Sequence, residues 1–251
     1  MTRPIQLKVE PETDRSQKSL VCSLSSVLCP RCCLAVLVIV VLAGCAKAPF
    51  LGQMMTPSYQ PSNVFREEAV LPSTIRRVAI LPMSSLTEEA DMGFGRDALG
   101  PVLLNELNRV RQFELVSIST EELRLLSGRS VWSAEEKLPA DFFDRIKEKY
   151  GVDAILFSRL TQYQAYEPLA IGWRLKLIDA EEPHVLWAVD EVFDSRVPSV
   201  AAAAVRFAED NPDTGASLSD SRSVLLSARR FGHYTAHAVV QTMPGRTESV
   251  R

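Results

Sequence analysis

All five cysteines of the chain, Cys22, Cys29, Cys32, Cys33 and Cys45, fall within its first 45 residues. Cys45 follows two small residues, Ala43 and Gly44, which close an unbroken apolar run from Cys32. A thiol in that place sits at the small-residue cleavage point of a secretory segment, not in a core. Cys29-Pro30-Arg31-Cys32 has the C-x-x-C spacing of redox and zinc sites. It has no partner pair and no βα frame, and it lies in a segment expected to be removed, so no metal is expected there. Beyond Cys45 the chain can form no disulfide and offers no cysteine nucleophile or zinc thiolate. Such a domain is compatible with an oxidising compartment.

The other chemistry-bearing residues give weaker patterns. His233 and His237 stand four apart, a metal-compatible spacing, but no third ligand is nearby in sequence and no Glu stands between them. Gly93-Phe94-Gly95-Arg96-Asp97-Ala98 matches the glycine fingerprint that brings a pyrophosphate to a helix N-terminus. Ten residues separate it from the preceding strand, and Gly100-Pro101 interrupts the helix behind it, so it reads as a glycine-eased helix entry. Asp141, Asp144, Glu148 and Asp153 interleave with Arg145, Lys147 and Lys149, as on a solvated face. Asp190, Glu191 and Asp194 end a strand with no nucleophile in view, and there is no G-x-S-x-G. No catalytic residue, metal ligand or cofactor is assigned.

The elements that would position these groups are read from periodicity and punctuation. Residues 31–43 form an apolar run behind Arg31 that is shorter than the ~20 residues a membrane-spanning helix needs. With a long polar lead, residues 1–44 read as a signal peptide, and 45–74, rich in Pro, Ser, Gln and Met, as a flexible tether. Residues 75–243 read as a single α/β domain and 244–251 as a disordered tail. Beyond residue 45 the net charge is about −5 with no basic block, which leaves no footprint for nucleic acid.

Within the domain, Arg77–Leu81 reads as a buried strand ended by Pro82. Gly93–Arg111 reads as a helix, with a kink or late start predicted at Gly100-Pro101. Phe113–Ser117 is a strand. Ser119 and Glu122 have capping-box spacing, with Gly128 as the stop. Leu138-Pro139 opens a helix that Gly151 ends. Val152–Ser158 is a central strand running on towards Tyr166. Residues 171–178 and 184–193 form a hairpin. A helix from Pro198 to Ala208 and one from Ser221 to Met243 close the chain. The fold class is α/β (α+β), a mixed sheet with a late antiparallel hairpin, covered by helices. Tyr163, Tyr166, Trp173 and Trp187 gather on the hairpin and the strand before it. They either pack beneath the helices or form a partner-binding surface.

Leu42-Ala43-Gly44-Cys45 resembles the lipobox of bacterial lipoprotein precursors. The resemblance implies signal-peptidase recognition of Leu42, Ala43 and Gly44 and lipidation of Cys45. Ala46, in place of Asp, implies sorting to the outer membrane, facing the periplasm. Further along, Arg77–Pro82, Leu104-Asn105-Glu106-Leu107 with Phe113–Val116, Tyr150–Leu156 and the hairpin Trp173–Asp179 to Val185–Trp187 resemble the α/β domain of envelope lipoproteins. That group includes the CsgG, LpoB and TolB N-terminal types, and the likeness covers residues 75–195. It implies a non-catalytic module, held to the membrane through Cys45, that binds envelope proteins. The alternatives are a homo-oligomer forming a secretion channel and an envelope enzyme with an acidic site. A barrel pore needs ~10-residue strands with a continuous lipid-facing side, and only 171–178 approaches that.

Overall fold

The computed structural model describes residues 59–211 and 221–246. The chain divides into two units, Met1–Met54 and Met55–Arg251, and every described residue belongs to the second. Cys45 and the three residues before it therefore lie outside the described residues, as do the C-x-x-C pair and residues 247–251.

The strands are β1 (Val64–Arg66), β2 (Val70–Leu71), β3 (Arg77–Ile80), β4 (Ser84–Ser85), β5 (Glu114–Ser117), β6 (Ala154–Gln164), β7 (Ala170–Asp179), β8 (Val185–Asp194) and β9 (Gly245–Arg246). The helices are α1 (Ala90–Val110), α2 (Thr120–Ser127), α3 (Phe142–Tyr150), α4 (Pro198–Asp210) and α5 (Ala228–Val240). A mixed seven-stranded sheet runs in the order β1-β8-β7-β6-β3-β5, with β4 also pairing β6. β3, β5 and β6 are parallel, and β6, β7, β8 and β1 are antiparallel.

Alternation along β3 divides the core. Val78 and Ile80 point to one face, with α1, α4 and α5, while Ala79 and Leu81 point to the other, with α2 and α3. The chain thus leaves β3 for a helix on one face and leaves β5 for helices on the opposite face. The second face is helix-covered only over β5, β3 and β6. Where Phe65, Arg174, Lys176 and Ala188 stand, the surface depression is lined by strand and loop residues.

Local signals explain most boundaries. Ser119 accepts from the Glu122 amide and Glu122 reaches back, completing the capping box. Gly128 (φ 82°) and Gly151 (φ 60°) close α2 and α3 in the left-handed region that disfavours other residues. The hairpin pairs Leu175 with Val189 and Leu177 with Trp187. β6 is extended by a bulge between Leu160 and Gln162, which keeps Tyr163 paired with Ile171 on the core face.

Several expectations are corrected. The tether does not reach residue 74: β1 adds an antiparallel edge strand to β8, and β2 pairs with β9, drawing residues 245–246 out of the expected tail. Both segments are too short to show a strand period; β1 pairs with the ten-residue β8, and β2 with the equally short β9. α1 begins at Ala90 and runs through Pro101. Asp97 and Pro101 are both exposed, so water can serve the carbonyl that loses its donor. α3 begins at Phe142, three residues after Pro139, whose carbonyl accepts from the Phe142 amide. The closing helix is two pieces, a 3-10 helix at Ser221–Leu226 and α5, because Ser227 is extended and its hydroxyl caps the Arg230 amide.

Gly95 owes its place to packing, not to a phosphate. A Cβ there would lie 2.5 Å from Tyr163 Cγ and 2.8 Å from Leu160 Cδ2, so the glycine serves close helix-on-sheet packing inside α1. We expect Gly95→Ala to lower stability by about 1–3 kcal/mol through overpacking. Urea unfolding of the variant measures it, and an unchanged or raised midpoint would contradict the packing role.

Candidate functional site

The four aromatics do not form one surface. Trp173 and Trp187 are fully buried under α5, where their indole N–H groups donate to Thr235 Oγ1 (2.9 Å) and Thr242 Oγ1 (3.2 Å). Their assignment to a partner-binding surface is corrected: both share a face with Leu175 and Leu177, and their polar handles find partners in the core. Tyr163 is half-buried against Gly95, and only Tyr166, 85% exposed, meets solvent freely.

The acidic candidates have structural partners. Asp153 accepts from the amides of Arg76 and Arg77, each at 2.8 Å, and so fixes the start of β3. Asp190 pairs with Arg174 across the hairpin at 2.6 Å. Glu191 holds the N-terminal segment to the sheet, accepting from Tyr59 Oη (2.9 Å) and the Ser62 amide (2.6 Å). Tyr59 also packs edge-on against Phe193, with ring centroids 5.5 Å apart. Burial first, then the Glu191 carboxylate, pushes the Tyr59 phenol above its usual range. Arg66 Nε reaches the Thr242 carbonyl at 2.7 Å. Residues 59–66 thus form a strap seated on β8 and the end of α5.

The strap and α4–α5 border a cleft of about 620 Å³, lined by Tyr59, Arg66, Phe207, Tyr234, His237 and Thr242 among others. Behind it lies a group that local sequence patterns did not single out. Glu106 of α1 is buried, with 3% of its side chain exposed. His237 Nδ1 lies 3.2 Å from one carboxylate oxygen, and Arg109 (3.2 Å) and His233 (3.7 Å) approach the other. Burial acts to raise the Glu106 carboxyl, but these neighbours outweigh it and hold the pKa down to about 2.

The histidine pair therefore faces a carboxylate that is already shared with a guanidinium, and among the described residues no three-residue metal-holding group forms. A carboxylate-held imidazole is the arrangement of a general base. Of the hydroxyls lining the cleft, Thr242 Oγ1 donates to the Val239 carbonyl and accepts from Trp187, Tyr59 Oη donates to Glu191, and Tyr234 Oη is buried with no hydrogen-bond partner among the described residues. The sequence signs of this cluster are the i, i+4 histidines and, for Glu106, a polar residue at a core position of α1, between Leu103 and Leu107.

Fold and site together define a helix-covered mixed-sheet α/β domain whose conspicuous acidic side chains act as structural ties. No protein-family model matches the chain, and no curated protein does either. Among solved structures it is similar to the PelC dodecamer from Paraburkholderia phytofirmans, at 13% identity over 73% of this chain and 96% of that one, with a TM-score of 0.37. It is also similar to the LpoB C-terminal domain from Salmonella enterica, at 13% identity over 57% and 92%, with a TM-score of 0.29. TolB from Acinetobacter baumannii is matched at 14% identity over 72% of this chain and 30% of that one, with a TM-score of 0.29. The LpoB and TolB groups that residues 75–195 resemble are thus among its structural neighbours.

Proposed function

We propose that the chain is a lipid-anchored, non-catalytic binding module of the cell envelope, acylated at Cys45 and facing the periplasm from the outer membrane. The observation that carries this reading is a distance in sequence. Thirteen residues, 46–58, separate Cys45 of the Leu42-Ala43-Gly44-Cys45 tetrad from Tyr59, the first residue seated on the sheet. Fully extended, that stretch spans no more than about 50 Å, so an acylated Cys45 confines the domain to partners near the membrane surface. One acyl chain alone binds a membrane marginally, whereas the full lipoprotein modification anchors it stably. The structural engagement of Asp153, Asp190 and Glu191 supports a binding role over the acidic-enzyme alternative.

Labelling cells with radioactive palmitate tests the anchor. The wild-type chain should take up label and fractionate with the outer membrane, whereas Cys45→Ala should fall to background and move to the soluble fraction. Label retained in the Cys45→Ala chain would remove the anchor from this account. Photo-crosslinking from exposed Phe65 and Tyr166 in intact cells tests the binding role. Capture of one defined envelope protein, lost in Cys45→Ala, is the expected outcome, and only monomer at both positions would contradict it.

A further inference from the structure

A crevice opens at the carboxyl ends of β3 and β5, where the two strands send their connections to opposite faces of the sheet. In open α/β sheets such a divergence leaves a cleft between the departing loops, and ligands settle there. Here the cleft measures about 790 Å³, within the range of small-molecule sites. Four arginines from four different segments line it: Arg96 of α1, Arg124 of α2, Arg129 of the following loop and Arg159 of β6. Ser84 and Ser85, just past the end of β3, also line it.

We propose that this crevice binds a water-soluble ligand bearing a phosphate ester on a hydroxylated sugar, such as a phosphosugar or a nucleotide. Guanidinium forks match phosphate oxygens in geometry as well as charge. Two buried donors without partners support this reading. Ser85 is 8% exposed and its Oγ has no hydrogen-bond partner among the described residues. Arg159 Nε is likewise buried and unpaired, although its Nη1 lies 3.3 Å from both Ser133 Oγ and Glu135. Ser85 is in register with Leu160 and Arg159 with Ser84, so the two donors lie on opposite faces of the sheet, and separate ligand oxygens would satisfy them, as buried donors ordinarily are.

The other three guanidiniums hold acids at the rim: Arg124–Glu121 at 2.6 Å, Arg129–Glu136 at 2.7 Å and Arg96–Asp97 at 3.4 Å. Those carboxylates are 63%, 39% and 76% exposed, so the pairs are weak and can exchange for a ligand. The rim acids Glu88, Asp97 and Glu136 in turn accept hydrogen bonds, which favours a ligand carrying hydroxyls over bare phosphate.

Calorimetric titration of the full-length chain in detergent tests the proposal, with glucose 6-phosphate and uridine diphosphate as separate probes and glucose as control. Saturable binding of at least one phosphorylated probe, and none of glucose, is expected. Arg159→Gln and Arg124→Gln should each weaken it by about tenfold or more, whereas Arg196→Gln, outside the crevice, should not. Arg124 is half-exposed, so its variant keeps the test readable if Arg159→Gln fails to fold. Binding by one probe alone tells phosphosugar from nucleotide. Silence with both probes, equal binding of glucose, or unchanged affinity in Arg124→Gln would overturn the assignment. The anchor at Cys45 stands or falls separately, on palmitate labelling.

Discussion

Replacing Trp173 with alanine is expected to lower the unfolding free energy by about 3–5 kcal/mol. The indole is fully buried on the central hairpin, among the strands and α5. Trp173→Phe separates volume from hydrogen bonding. It removes the N–H, but the Thr235 hydroxyl keeps its bond to the Gly232 carbonyl at 3.1 Å, so little polar penalty is added. Urea denaturation of both variants measures the difference. A loss below about 1 kcal/mol for the alanine variant would contradict the place of Trp173 in the core.

Acid should unfold the domain partly through Glu106. Its pKa is held at about 2 in the fold, against an ordinary 4.5. A carboxyl depressed by folding contributes its stability fully above the unfolded value and loses it as pH falls through the folded one. The window is therefore about pH 4.5 down to 2, and the contribution is on the order of 2–3 kcal/mol after allowance for solvent screening. Glu135, held at about 2 despite burial by Lys176, Ser133 and Arg174, titrates in the same window, so wild type alone does not isolate Glu106. The difference between wild type and Glu106→Gln does. The variant should be less stable at pH 7, where Arg109 loses its buried partner, and its denaturation midpoint should fall less between pH 5 and 3. Parallel curves for the two proteins across that range would contradict the assignment.

How much of this was legible in the sequence depended on range. The capping box at Ser119–Glu122, the glycine stops at 128 and 151, and the hairpin at 170–194 are written within a few residues of themselves, and the structure has them there. β1 is three residues with one apolar side chain facing the core, too little for a period, and only the unpaired edge of β8 makes it a strand. Period 2 places Trp173 with Leu175 and Leu177, but which face of the sheet is covered depends on α5, about sixty residues later. Glu106 likewise meets its histidines about 130 residues on. The four arginines of the crevice share no spacing at all, and the crossing of the connections beyond β3 and β5 is what gathers them.

The strap on β8 has a consequence for anyone who trims the chain. A fragment starting at Ile75, where the apolar pattern begins, would strip β1 from its partner and bare the outer rim of a ten-residue strand with no lysine on it. Such a rim is a template for another strand, and a second copy's β8 is the nearest one to hand. The shortened protein would lose Leu71, Tyr59 and Val64 from the core and gain a tendency to stack edge to edge into aggregates, so residues 59–66 act as the selvedge that keeps the sheet from fraying into its neighbours.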